Sequence, residues 1–240
     1  MQAIYEPKGR AREYHELACN LYRGCGHGCG YCYAPAATKM DRREFYDNPI
    51  PRVGILDALE KDATRMEFLG DKRHVMLCFS CDPYQPIEKG MGITRQAIAI
   101  LKRHQCNVSI LTKGGVWAYR DFDLLTPEDK FGATLTFMSD ADSLKWEPKA
   151  ALPLSRFESL WMAHRLGIKT WISLEPVIDP AQTLEIISET MCYADIYKVG
   201  TLNYVHNTID WSAFAHAVKA RLEELGKDYY LKEDLRKWLK

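Results

Sequence analysis

From residue 53 onward, short β-branched or aromatic runs alternate with runs of helical spacing, which restricts the chain to βα units around a parallel sheet. Val53, Leu56, Leu59, Ala63 and Met66 share one helix face, and HVMLCF at 74–79 follows as a buried strand. Ile93, Ala97, Ile100 and Leu101 form the next face, ahead of the strand NVSILT at 107–112. A weaker helix over 116–125 precedes the strand FGATLTF at 131–137. Ser155 and Glu158 read as a capping box ahead of Phe157, Leu160, Trp161 and His164, with Gly167 as the stop. A strand then covers 168–174, Asp179 and Pro180 open a helix carrying Leu184 and Ile187, and DIYKVG at 195–200 is the next strand. Asp210 caps a helix with Trp211, Phe214, Val218, Leu222 and Leu225 on one face, closed by Gly226, and a short terminal helix carries Leu231, Leu235 and Trp238.

One more strand within 14–22 makes six βα units, so the expected fold is α/β, a partial (β/α)6 TIM-type barrel with its reactive end at the strand C termini. At 240 residues, one domain over 1–240 is expected: a cysteine loop at 24–33, a barrel over about 14–200 and C-terminal helices over about 210–240. Lys plus Arg and Asp plus Glu both number 32, which excludes a global basic field for nucleic acid or anionic membrane. No apolar core opens the chain and no stretch is apolar enough to span a bilayer, so a cytoplasmic protein without a membrane partner is expected. Without a secretion signal, the 8 cysteines read as reduced thiols or metal ligands.

Three of them, Cys25, Cys29 and Cys32, share the segment Gly24-Cys25-Gly26-His27-Gly28-Cys29-Gly30-Tyr31-Cys32-Tyr33. Its glycines let backbone wrap a bulky group. A mononuclear zinc site wants four ligands in paired knuckles, and no second pair is at hand; His27 or Cys19 is the fourth ligand in the rival reading, a zinc-stabilised binding module without turnover. A [4Fe-4S] cluster held by three cysteines keeps one iron open to an outside ligand.

The Cys-x3-Cys-x2-Cys spacing, with an aromatic before the third cysteine, resembles the signature of the radical SAM superfamily. That resemblance implies a [4Fe-4S] cluster on Cys25, Cys29 and Cys32, S-adenosylmethionine chelated by the open iron, and reductive cleavage to methionine and a 5′-deoxyadenosyl radical that abstracts hydrogen from a substrate. It also implies a reducing partner such as a flavodoxin or ferredoxin. NLYRGCGHGCGYCYAP at 20–35, SCDPYQPIE at 80–88, Leu-Thr-Lys at 111–113 and EPKAALPLSRF at 147–157 are similar to the branch that contains spore photoproduct lyase.

The resemblance further implies cofactor-binding roles for Lys113 (carboxylate), Thr136 (hydroxyl bonding) and Ser80 and Asp82 (amino group). Tyr31 and Tyr33 take the place of tyrosines that return a hydrogen atom to product, with Cys81 the candidate catalytic thiol; the branch's donor cysteine falls on Phe79, between Cys78 and Cys81. Each also has an ordinary reading: strand-end lysine, β-former, turn residue, packing aromatic, buried thiol. Glu175, Asn203, Tyr204 and His206 follow the fifth and sixth strands, where a substrate would sit. The substrate class implied is a nucleic-acid base or nucleotide, with peptide modification and photoproduct repair as alternatives. Lys8, Arg10, Arg12, Arg42, Arg43 and the mixed-charge tail from Lys219 to Lys240 are the local cations open to it.

Overall fold

A computed structural model describes residues 2–240. In chain order its strands are β1 (Leu17–Cys19), β2 (Tyr22–Arg23), β3 (Ile50–Pro51), β4 (His74–Leu77), β5 (Asn107–Thr112), β6 (Lys130–Thr134), β7 (Lys169–Leu174), β8 (Ile196–Val199) and β9 (Asp228–Leu231). The helices are α1 (Ala34–Ala37), α2 (Arg42–Asp47), α3 (Ile55–Leu69), α4 (Glu88–Met91), α5 (Ile93–Arg103), α6 (Asp140–Trp146), α7 (Pro153–Arg165), α8 (Pro180–Thr190), α9 (Trp211–Glu224) and α10 (Glu233–Arg236), with a 3-10 segment over Gly115–Leu124. Among the described residues, seven strands form one sheet in the order β1-β4-β5-β6-β7-β8-β9, every neighbouring pair parallel. The sheet does not close, so the architecture is the expected partial barrel with one strand more than the sequence count.

The extra strand corrects the reading of the C terminus. Leu231, Leu235 and Trp238 have helical spacing, yet residues 228–231 are Asp-Tyr-Tyr-Leu, and tyrosines favour a strand. Pairing with β8 (Tyr197↔Tyr229, Val199↔Leu231) wins, and the helical region shrinks to α10 and a 3-10 turn at Lys237–Leu239. The barrel therefore extends beyond residue 200. Two smaller corrections follow. Val53 is exposed, and α3 instead buries Ile55, Ala58, Leu59, Ala63 and Met66. Ser155 does not cap α7: the helix starts at Pro153 behind Leu152, and the Ser155 hydroxyl accepts the Val116 N–H at 3.1 Å. The caps at Asp179 and Asp210 form as read, each side chain accepting backbone N–H groups of the first turn.

Residues 5–15 cross the open side of the barrel, a feature the strand reading of 14–22 missed. Tyr5 bridges to Ala18 on β1, while the Glu13 carboxylate accepts from the Tyr230 hydroxyl at 3.2 Å and the Glu233 N–H at 2.8 Å beside β9. Between them, the Tyr14 hydroxyl meets Ser173 of β7 at 3.0 Å and His15 meets Ser109 of β5 at 2.8 Å. The concave face holds Ala18, Met76 and Trp171, with Tyr5, Tyr14, Phe79, Leu111 and Ile196 packed against them. The larger core lies between the sheet and the helices.

Trp171 fits because β6 offers Gly132 opposite it: a Cβ there would stand 2.4 Å from the indole ring. Gly132→Ala is expected to destabilise the fold by ~1–3 kcal/mol through overpacking, read as a lower denaturant midpoint with unchanged slope. An unchanged midpoint would show that the lumen can relax.

Candidate active site at the cysteine loop

The loop leaves the C-terminal end of the sheet through β2 and is closed at its base by antiparallel pairing of Tyr22 with Pro51 and Arg23 with Ile50. Gly24 adopts φ +87°, and a Cβ there would lie 2.7 Å from the Phe45 carbonyl, so the turn requires glycine. That carbonyl accepts the Cys25 N–H at 2.9 Å. From α2, the Tyr46 hydroxyl donates to the Cys29 carbonyl at 2.7 Å, and Arg42 donates to the carbonyls of Cys29 and Gly30.

Two distant segments grip the loop from either side. On one side, Gln85 accepts the Gly26 N–H at 2.7 Å and donates to the Gly24 carbonyl at 3.3 Å, and buried Glu88 accepts the Tyr22 hydroxyl. On the other, the Trp146 carbonyl accepts the Gly30 N–H at 2.7 Å, and Lys149 exchanges contacts of 3.1 Å with the His27 carbonyl and ring. Gln85, Glu88 and Lys149 belong to the stretches that carry the branch resemblance, and Trp146 lies one residue ahead of the last of them.

Asp82 shows why the second strand's end matters. Its carboxylate accepts from the Tyr84 N–H at 2.8 Å, the Thr112 hydroxyl at 2.6 Å and the Lys113 N–H at 2.7 Å, and faces His27 Nε2 at 3.2 Å. A carboxylate has about four acceptor sites, so little capacity remains for a cofactor's ammonium. Asp82 braces the loop through these contacts. Burial pushes its carboxyl up, but the His27 ring and the donors outweigh burial and hold it at about 2. A pKa depressed in the fold stabilises above the unfolded value and is lost as pH falls through the folded one. Acid unfolding should therefore lose about 2 kcal/mol between about pH 4 and pH 2, a loss absent from Asp82→Asn. Parallel acid titrations of the two proteins would contradict this.

Burial raises all three loop thiols: Cys25 well above its ordinary value, Cys29 to about 12, and Cys32 upward. Thiols in that condition keep their protons until a metal centre takes the proton's place. Among the described residues no group of three or more His, Cys, Asp or Glu is placed to hold a metal ion. The rival zinc ligands have other duties: both ring nitrogens of His27 face protein oxygens, and Cys19 is wholly buried on β1. Three cysteines spread along a glycine-rich loop suit a cluster, which takes each thiolate on a different iron.

Lys113 follows β5 and turns toward this loop, its Nζ lying 5.6 Å above the Tyr31 ring. Burial lowers its pKa, but Cys29 and then Glu147 overcome that and leave it raised, so the side chain is a cation. Among the described residues no carboxylate lies within 4 Å of its ammonium. Thr136, buried just past β6, directs its hydroxyl to Glu147 at 3.4 Å, and the Tyr31 hydroxyl donates to the same carboxylate. Glu147 and Arg156, a buried ion pair at 2.5 Å, carried no role in the sequence reading. A signal existed: Arg156 sits on the buried stripe of α7 with Pro153, Ser159, Leu160 and Ala163, where an unpaired charge is not tolerated.

The other candidates lie around the mouth. Tyr33 is half exposed and donates to the Phe79 carbonyl at 3.3 Å. The Phe79 and Ser80 N–H groups donate to Asn20 at 2.7 and 3.0 Å. Cys81 is buried beside Cys78. Across the mouth, Glu175 accepts from the Tyr14 hydroxyl at 2.5 Å and pairs with Lys232, while Asn203 bonds Arg10 at 2.7 Å and Asp234 at 2.9 Å. Tyr204 is exposed.

The fold matches that of solved structures. Spore photoproduct lyase with bound AdoMet and dinucleoside spore photoproduct superposes with a TM-score of 0.72 at 13% identity, over 94% of this chain and 78% of that one. The chain has the fold of spore photoproduct lyase. Another structure of that lyase reaches a TM-score of 0.73 at 12% identity, covering 95% of this chain and 79% of its own. Streptococcus suis SuiB bound to S-adenosylmethionine gives 0.68 at 11% identity over 89% of this chain, and the chain spans about half of SuiB, 49% of its length. In sequence, the uncharacterized protein MJ0683 of Methanocaldococcus jannaschii is 27% identical over 187 residues, 77% of this chain and 69% of that protein. No family model matches the chain. Among the described residues, no helix is long and apolar enough to cross a membrane.

Proposed function

We propose that the chain is a radical SAM enzyme in which Cys25, Cys29 and Cys32 hold a [4Fe-4S] cluster and Lys113 pairs with the carboxylate of S-adenosylmethionine. The observation that carries this is the meeting of three loop thiols, Cys29 buried and Cys25 and Cys32 partly buried, with an unneutralised lysine at the open end of a parallel partial barrel. The cluster, when bound, supplies the electron that cleaves the cofactor to methionine and a 5′-deoxyadenosyl radical. The loop's clasps, from Gln85 to Trp146, keep the thiols in one place, and Thr136 and Ser80 line the same end of the sheet. The rival, a zinc-stabilised binding module, needs a fourth ligand that neither His27 nor Cys19 is free to provide.

Tyr33 and Tyr204 are exposed aromatic faces beside that mouth, which suits stacking on a base. Three of the local cations are engaged: Arg10 pairs with Asp234 at 3.5 Å, Arg12 with Glu6 at 3.7 Å, and Arg42 donates to loop carbonyls. That favours a nucleotide or single base over a long polymer. Among the solved neighbours, the lyase is complexed with a dinucleoside and SuiB with its precursor peptide, so peptides are the second class to test. The experiment is deuterium transfer into 5′-deoxyadenosine from labelled nucleotides and labelled peptides, under reducing anaerobic conditions. Transfer from nucleotides supports the reading, and transfer from peptides alone overturns its substrate class.

A further inference from the structure

The wall behind Tyr31 holds two cations and one anion: Lys113, Arg156 and Glu147. Glu147 is held at both oxygens, at Oε2 by an ion pair that makes no hydrogen bond. Its Oε1 receives the hydroxyls of Tyr31 and Thr136, and its Oε2 stands 2.5 Å from Arg156 Nη2. Arg156 is anchored independently, with Nε donating to the Ala151 carbonyl at 2.7 Å and Nη1 to the Thr134 carbonyl at 3.0 Å, and it is 1% exposed. Lys113 is near enough for Glu147 to influence its charge, yet the two form no ion pair. Lys113 is partly buried and Glu147 wholly so, and a carboxylate in a dry wall takes a nearby cation as partner. Here the carboxylate's partner is Arg156.

We infer that Arg156 is a positioning residue that withholds Glu147 from Lys113, so that the lysine stays unpaired for the carboxylate of an incoming ligand. The inference rests on the proposed cofactor, because it explains how this chain reads that cofactor's carboxylate. Without Arg156, the freed Glu147 would neutralise Lys113 and compete with the ligand. Glutamine at 147 could still accept from Tyr31 and Thr136 but could not neutralise the lysine.

The test measures binding of S-adenosylmethionine and of its decarboxylated analogue to the anaerobically reconstituted protein. The variants are Arg156→Met and the double variant Arg156→Met with Glu147→Gln, with iron content and circular dichroism followed in parallel. The unaltered protein is expected to prefer the carboxylate-bearing ligand by about tenfold. Arg156→Met should lose that preference and the double variant should regain it, although it still lacks the arginine. A purely structural arginine predicts no recovery, so an unrecovered preference, or one retained in Arg156→Met, overturns the inference. If Arg156→Met fails to fold, the double variant, which leaves neither charge unpaired, decides by the same criterion. Absence of binding by the unaltered protein would instead overturn the proposed function, and this inference with it.

Discussion

Cys25→Ala, Cys29→Ala and Cys32→Ala should each lose the iron and sulfide of the reconstituted protein and its brown absorption. The three thiols share one loop whose backbone is clasped by Phe45, Gln85, Trp146 and Tyr46, so no neighbouring segment can swing a substitute into place. The remaining cysteines lie on other elements. Cys19 lies on β1, Cys78 and Cys81 are buried after β4, Cys106 is buried ahead of β5, and Cys192 is exposed beyond α8. Cys106→Ala and Cys192→Ala should therefore keep the full iron complement, which makes them controls for handling losses. Full iron and sulfide in any of the three loop variants would remove that cysteine from the ligand set.

Lys113→Ala should weaken binding of S-adenosylmethionine by roughly tenfold or more while leaving iron content unchanged. A charge-assisted bond is worth about 1.5–3 kcal/mol, and 1.4 kcal/mol is tenfold in affinity. The backbone N–H of Lys113 still reaches Asp82 in the variant, so the brace on the loop survives and the loop cysteines stay in place. The change removes the cation alone. Titration of the reconstituted variant with the cofactor checks this, and an unchanged affinity would make Lys113 an ordinary strand-end lysine.

The strands from β4 to β8 were legible because each is a short β-branched or aromatic run between amphipathic helices, a local pattern that survives without tertiary information. The strand β9 was not, since Leu231 and Leu235 fit a helix equally well and only pairing with β8 decides between them. The path of residues 5–15 across the open barrel depends on partners such as Ser173 and Tyr230, far away in sequence, and no local pattern encodes it. At the site, chemistry concentrated in eight residues made the cysteines legible, while the residues that brace them were visible only as members of motif segments. Gln85, Glu88, Glu147 and Arg156 act across gaps that only the folded chain closes. The bonds of Asp82 to Thr112 and Lys113 join the end of β4 to that of β5, a link that no local pattern encodes.

The measurement that bears most directly on the central claim is electron paramagnetic resonance of the anaerobically reconstituted, reduced protein before and after S-adenosylmethionine is added. A cluster with one iron open beside Lys113 should give a reduced [4Fe-4S] signal whose shape and position change on adding the cofactor, because that iron gains new ligands. The same preparation of Lys113→Ala should need a higher cofactor concentration to reach the same change. Stoichiometric zinc with no cluster signal, or a cluster signal that the cofactor leaves unaltered, would contradict the account.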